Sequence, residues 1–195
     1  MNIVSLLGSP SVWSRSGWLI ERASRRLAAG GEHTVRTIAL RELPAEALLR
    51  AEVGRTGLRE AVEAVMAADV VLVATPIYKA AYSGLLKTFL DLLPQDGLRG
   101  KTVLPIATGG SAGHLLALDY ALKPVLNALG ARLIVDAVFA VDNQLMPHET
   151  QGYLAEDALI RRLDRAVQAV LDAHPAPARP VRSLPTTFSL SALAC

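Results

Sequence analysis

The sequence predicts a three-layer α/β sandwich: a five-stranded parallel sheet in the order 2-1-3-4-5, with helices on both faces. Three observations carry this. Short apolar runs alternate with amphipathic stretches along the whole chain, giving a β-α-β-α-β-α-β-α-β-α pattern. The run Val70–Ala74 is apolar and largely β-branched with no alternation, as expected of a strand covered on both faces. At 195 residues, 51% hydrophobic and 5% aromatic, the chain is long enough for one domain with a substantial core.

Taken in order, Asn2 to Leu7 reads as the first strand. An amphipathic helix follows through Leu19, Ile20, Ala23 and Leu27, and Gly30-Gly31 ends it. His33 to Leu40 is the second strand. Leu43 to Thr56 reads as loop, with a helical turn at Ala45 to Arg50. Leu58, Ala61, Val62 and Val65 are spaced as a helix over Gly57 to Ala67. Val70–Ala74 is the third strand, and Leu85, Leu86, Phe89, Leu90 and Leu93 mark the helix after it. Lys101 to Ala107 is the fourth strand, and His114 to Leu129 a long helix. Leu133 to Ala140 is the fifth strand, Asp142 to Tyr153 a polar loop, and Leu154 to Ala173 a final amphipathic helix. Right-handed crossovers allow the 2-1-3-4-5 order, which sets the carboxyl ends of strands one, three and four side by side. The loops Gly8 to Ser16, Thr75 to Gly84 and Thr108 to His114 therefore converge on one crevice, and they are the loops richest in Gly, Ser, Thr and Pro.

Each loop has a chemical reading and a plainer one. Ser9, Ser14, Arg15 and Ser16 stand between a strand and a helix N-terminus, where orphan N–H groups suit a phosphate and Arg15 adds charge-assisted hydrogen bonds. Ser14 or Ser16 also serves as an N-cap without any ligand. In Thr75-Pro76-Ile77-Tyr78-Lys79-Ala80-Ala81-Tyr82-Ser83-Gly84, Pro76 stiffens the loop and Tyr78, Lys79 and Tyr82 offer flat or charged contacts, unless they are ordinary surface residues. Gly109-Gly110-Ser111-Ala112-Gly113 lets backbone approach a flat ligand, though glycine turns alone explain it as well. Pro124 removes the donor for the Tyr120 carbonyl, so the helix must kink, admit water or widen to a π-type turn; the plainer outcome is a kinked core helix. His114 is the one histidine beside the crevice.

Other classes are disfavoured. Gly100-Lys101-Thr102 resembles the end of a P-loop but precedes a strand, and no G-x-G-x-x-G follows the first strand. The histidines show no metal-ligand spacing. Net charge is +2 with a pI near 8.9 and cations are scattered, so no nucleic-acid surface is expected. No apolar run reaches the roughly 20 residues of a membrane span. The single cysteine, Cys195, supports no disulfide framework. With no secretory leader legible, a soluble cytoplasmic protein is the expectation. Residues 1–173 read as one domain. Residues 174–195 hold four of the eleven prolines and read as a disordered tail or an arm lying on another subunit.

Gly8-Ser9-Pro10 with Ser14-Arg15-Ser16, the Thr75–Gly84 motif, and Thr108-Gly109-Gly110 followed by His114-Leu115-Leu116-Ala117-Leu118-Asp119-Tyr120-Ala121-Leu122-Lys123-Pro124 together resemble the NADPH-dependent FMN reductases, which are flavodoxin-like. The likeness is nearest to the reductases of two-component alkanesulfonate monooxygenase systems and extends to about residue 145. It implies FMN phosphate near Ser9, Arg15 and Ser16, with the isoalloxazine against Pro76, Ile77, Tyr78 and Lys79. Thr108, Gly109, Gly110 and Ser111 would hold its other edge; His114, from its place beside the crevice, reads either as a donor to the ligand or as a residue of its helix's first turn. It implies hydride transfer from NADPH to FMN without a catalytic side chain, a role for Tyr120 in flavin transfer, reduced FMN passed to a monooxygenase, and a homodimer or homotetramer. Many relatives carry Arg where this chain has Ser11. Two other readings stand beside it: a quinone or azo reductase with tightly held FMN, and a flavodoxin-like electron carrier, against which the +2 charge argues.

Overall fold

The computed structural model describes residues 1–174. Its strands are β1 (Asn2–Leu7), β2 (Thr34–Ala39), β3 (Val70–Tyr78), β4 (Ala81–Tyr82), β5 (Thr102–Gly109), β6 (Leu133–Ile134), β7 (Val138–Val141), β8 (Leu145–His148) and β9 (Gly152–Ala155). Its α-helices are α1 (Arg15–Ala28), α2 (Ala45–Leu49), α3 (Thr56–Met66), α4 (Gly84–Leu90), α5 (Lys123–Ala128) and α6 (Asp157–Asp172). The main sheet runs β2-β1-β3-β5-β6, with β7 also on β5 and β4 on β3. The predicted lane order is therefore present, and the strand count is corrected: the sheet has seven strands, not five.

Two local causes account for the extra strands. The fifth lane is split, because β6 pairs Leu133 with Thr102 while β7 pairs Val138 with Ile106. The offset changes from 31 to 32 residues, so one extra residue is accommodated between them. The Val103 carbonyl accepts from Val135 N–H at 3.0 Å, so by alternation the nitrogen of Pro105 faces the same lane. It has no proton to give, and the ladder breaks there. The other addition is β4, folded back antiparallel on β3 through Lys79 and Ala80. Both have positive φ, 50° and 62°, as a two-residue hairpin turn of this hand requires; neither is glycine, so the turn is strained.

Alternate residues of β3 face opposite cores. Val71 and Val73 join the layer of α3, α4 and α5, and Val70, Leu72 and Ala74 join that of α1 and α6. The stretch expected to be one helix from His114 is three pieces: a 3-10 turn (Ala112–Leu115), a π turn (Leu118–Leu122) and α5. The π turn is one of the three outcomes expected from Pro124. The polar loop expected at Asp142–Tyr153 is instead largely an antiparallel hairpin, β8–β9. The proline-rich segment lies outside the described residues, apart from His174, whose Nε2 is 2.8 Å from Thr102 Oγ1.

Candidate active site

The first crevice loop starts at Gly8, whose N–H donates to the Ala74 carbonyl at 2.7 Å. A Cβ there would lie 2.9 Å from Leu86 Cβ and 3.0 Å from the Ala74 oxygen, so only glycine lets the loop approach α4 this closely. Ser14 is the N-cap of α1, its Oγ accepting from Gly17 N–H at 3.0 Å. Its carbonyl accepts from Trp18 N–H at 3.0 Å. The N–H groups of Arg15 and Ser16 have no intrahelical partner. Ser9 and Ser16 are each 1% exposed. Ser9 Oγ accepts from Ser11 N–H at 3.2 Å. Ser16 Oγ, though buried, has no partner among the described residues. The capping reading thus holds for Ser14 and leaves Ser16 unexplained without a ligand.

The second wall is the end of β3, which continues past Thr75 to Tyr78 rather than stopping at Ala74. Pro76 stands in register with Thr108 of β5, so this wall is sheet rather than loop. Thr75 Oγ1 donates to the Pro76 carbonyl and accepts from Ser83 N–H, both at 2.9 Å. Tyr78 is half-exposed and lines the crevice. Tyr82 does not line it; burial raises its hydroxyl pKa, which nearby Lys87 partly offsets.

The third wall is the carboxyl end of β5. At Gly109 a Cβ would fall 2.9 Å from His114 Nδ1. The imidazole thus underlies the glycine, and its Nδ1 has no partner among the described residues.

One crevice is lined by Ser9, Ser14, Arg15, Ser16, Pro76, Ile77, Tyr78, Thr108, Gly109 and Gly110, ten of the residues singled out from sequence. Lys79, at the hairpin turn, and Ser111 and His114 are not among the residues lining it; the His114 imidazole packs against Gly109. Tyr120 is 80% exposed on the π turn, so it is not a core residue.

Ser11, noted from sequence as a departure from the family pattern, lines the crevice too, and sequence reasoning missed Trp13, Asp142 and Tyr153, which also line it. The last two belong to the β8–β9 region. Arg15 Nε donates to the Leu145 carbonyl at 3.1 Å, its Nη1 lies 3.6 Å from Asp142, and its guanidinium sits 5.6 Å from the centroid of the Tyr153 ring. These half-exposed contacts orient the cation more than they stabilise the fold. No signal short of the folded hairpin could have placed Tyr153 there.

This arrangement suits binding rather than acid–base or nucleophilic chemistry. It offers backbone amides, hydroxyls, one arginine and a tyrosine face. Among the described residues no group of three or more His, Cys, Asp or Glu could hold a metal ion. The orphan Ser16 Oγ, the α1 amides and Arg15 fit a phosphate, and the adjoining ends of β3 and β5, at Pro76–Tyr78 and Gly109–Gly110, fit a planar ring. Fold and site together define a doubly wound α/β protein with a polar crevice at its switch point.

Comparison with known proteins supplies the family. Residues 1–145 match NADPH-dependent FMN reductase, and the chain belongs to that family. It is 45% identical over 184 residues to an FMN reductase (NADPH) of Pseudomonas putida, covering 92% of this chain and 93% of that protein. It is 46% identical to an FMN reductase (NADPH) of Escherichia coli, over 86% and 87% of the two chains. A crystal structure of the apo form of an NADH:FMN oxidoreductase (EMOB) superposes with a TM-score of 0.81 at 42% identity, covering 92% and 91%. The chain is thus an oxidoreductase of the FMN reductase class. No helix among the described residues is long and apolar enough to cross a membrane.

Proposed function

We propose that this chain reduces FMN with NADPH in the cytoplasm, with residues 1–173 as the reductase domain. It acts as a homo-oligomer and passes the reduced flavin to an alkanesulfonate-type monooxygenase. The observation that carries the flavin reading is Ser16 Oγ, buried and without a partner among the described residues at the N-terminus of α1, in the crevice that Ser9 and Arg15 also line. A phosphate there completes its hydrogen bonding and meets the dipole of a 14-residue helix. The monooxygenase reading rests on the motif resemblance of the three crevice loops.

When bound, FMN supplies the ring that accepts the hydride. The chain's own part is to fix that ring. Pro76 and Ile77 present a rigid backbone wall, held by the Thr75–Ser83 hydrogen bond and by pairing with Thr108. Gly109 and Gly110 keep the adjoining end of β5 free of side chains, so its backbone can approach the ring. Orientation of two reactants in this manner accounts for catalysis without a side-chain acid.

Steady-state NADPH oxidation at varied free FMN tests the proposal. Saturable dependence on added FMN is expected. Turnover of a quinone by retained FMN, with none on free FMN, would replace it with the quinone reductase reading. Absence of NADPH oxidation would replace it with an electron carrier. Sulfite release from an alkanesulfonate, on adding the monooxygenase, checks the partner.

A further inference from the structure

A second groove adjoins the flavin crevice. It runs over the exposed face of α1 and encloses about 1030 Å³. Trp13, Ser14 and Tyr153 line both, so the two are continuous around the N-terminus of α1. The volume is at the upper end of small-ligand sites.

The groove is cationic and aromatic. Arg22, Arg25, Arg26 and Arg41 line it, against Glu21 and Asp164. Glu21 lies 3.5 Å from Arg25, and Arg41 is engaged by Glu42 at 2.8 Å. Arg22 and Arg26 have no acidic partner among the described residues. The guanidinium of Arg22 lies 6.0 Å from the centroid of the Trp18 ring, and its Nε is buried with no hydrogen-bond partner among the described residues. Trp18 is itself fixed, its indole N–H donating to the Gln151 carbonyl at 3.1 Å. Trp13 is 80% exposed.

Helical spacing aligns these groups. Arg15, Arg22 and Arg26 fall on one side of α1, so the cation at the phosphate cradle begins a row that leads away from it. A ligand held in the crevice by one end has a charged track for the other.

We infer that this groove binds the adenosine 2′-phosphate end of NADPH, with Arg22 and Arg26 reading the 2′-phosphate and Trp13 offering its ring to the adenine. The inference rests on the proposal that NADPH is oxidised in the crevice. A phosphate monoester accepts several hydrogen bonds at once, and guanidinium groups meet it in bidentate fashion. An exposed indole supplies a stacking face. An acidic protein would meet the same charges, but concavity and continuity with the crevice favour the small ligand. Family membership leaves the choice open, since the relatives carry both NADPH and NADH in their names.

The experiment uses the full chain with 2′,5′-ADP as probe and 5′-AMP as the control lacking the 2′-phosphate, by calorimetry and intrinsic fluorescence. Both tryptophans of the chain line the groove, so fluorescence reports on it directly. The wild type is expected to bind 2′,5′-ADP more tightly than 5′-AMP. In Arg22→Ala/Arg26→Ala that preference falls about tenfold or more, the loss of one or two charge-assisted bonds. KM for NADPH rises by a similar factor, KM for NADH far less, and Arg26→Lys retains part of the preference. Equal binding of 2′,5′-ADP and 5′-AMP by the wild type overturns the inference, as does a parallel loss for NADPH and NADH. Unchanged NADPH kinetics with loss of polyglutamate binding overturns it in favour of an acidic protein surface. Because the probe carries no nicotinamide, its binding is independent of turnover. A wild type that binds 2′,5′-ADP but oxidises no NADPH sinks the functional proposal instead.

Discussion

The Ser83 hydroxyl donates to the carbonyl of Gly8 and accepts from Leu86 N–H, so one side chain fastens the first crevice loop to the second while capping α4. Ser83→Ala removes a helix cap and the donor to a buried carbonyl together. A loss of about 2 kcal/mol is expected, read as a lower midpoint in urea denaturation. FMN affinity should fall with it, because the loop carrying Ser9 loses its anchor.

Ser16 and Arg15 separate ligand binding from stability. Ser16 Oγ is buried without a partner, so Ser16→Ala removes an unsatisfied polar group and should leave stability unchanged or raised. Affinity for FMN should fall while affinity for riboflavin, which lacks the phosphate, holds. Arg15→Ala should show the same contrast more strongly. Equal losses for FMN and riboflavin, measured by flavin fluorescence quenching, would remove the phosphate role.

Tyr120 stands on the π turn, exposed to solvent. Tyr120→Ala should shift the denaturation midpoint little, within about 0.5 kcal/mol for an exposed position, and change flavin retention or transfer. A variant that lost stability while handling flavin normally would show that the tyrosine serves only the helix.

Lys101, which resembled the lysine of a phosphate loop, is buried and donates from Nζ to the carbonyls of Met66 and Ala68, each at 2.7 Å. It closes the end of α3, and burial lowers its pKa. Lys101→Met leaves both carbonyls without that donor and should cost about 1–3 kcal/mol, with FMN affinity unchanged.

Tyr82 gives a pH dependence. Burial raises its hydroxyl pKa above the usual value of 10.0, so the folded chain holds the proton after the unfolded chain has released it. The contribution is complete below pH 10 and declines as pH rises through the folded value. Wild type should lose stability more steeply than Tyr82→Phe above pH 10, and thermal melts across that range would show a constant difference if the tyrosine were unperturbed.

The lane order of the sheet was legible because Val70–Ala74 needs two apolar faces to cover it, and such a strand must be central. The convergence of three loops followed from that order. A disturbance of the helix near Tyr120 was legible in Pro124, whose missing N–H is a local fact about the chain; the structure decided among kink, water and π turn in favour of the last. The split of the fifth lane was in principle readable at Pro105, but only pairing shows which neighbour its nitrogen faces. The β3–β4 hairpin was hidden because Lys79-Ala80 lacks the usual glycine; the strain is tolerated where the strand end is held by β5.

What the sequence by itself determined are features that act within a few residues or through periodic burial: strands, the Ser14 cap of α1, and the Gly-, Ser- and Thr-rich loops at the strand ends. What only the tertiary structure decided are features that need distant segments side by side. Tyr153 reaches Arg15 across 138 positions in sequence because a hairpin folds over the crevice. Arg22 and Arg26 came to line one groove only because the hairpin and the β2 region lie beside α1. Hydrophobic periodicity specifies which face is buried, but it carries no information about which polar side chains share the surface left exposed.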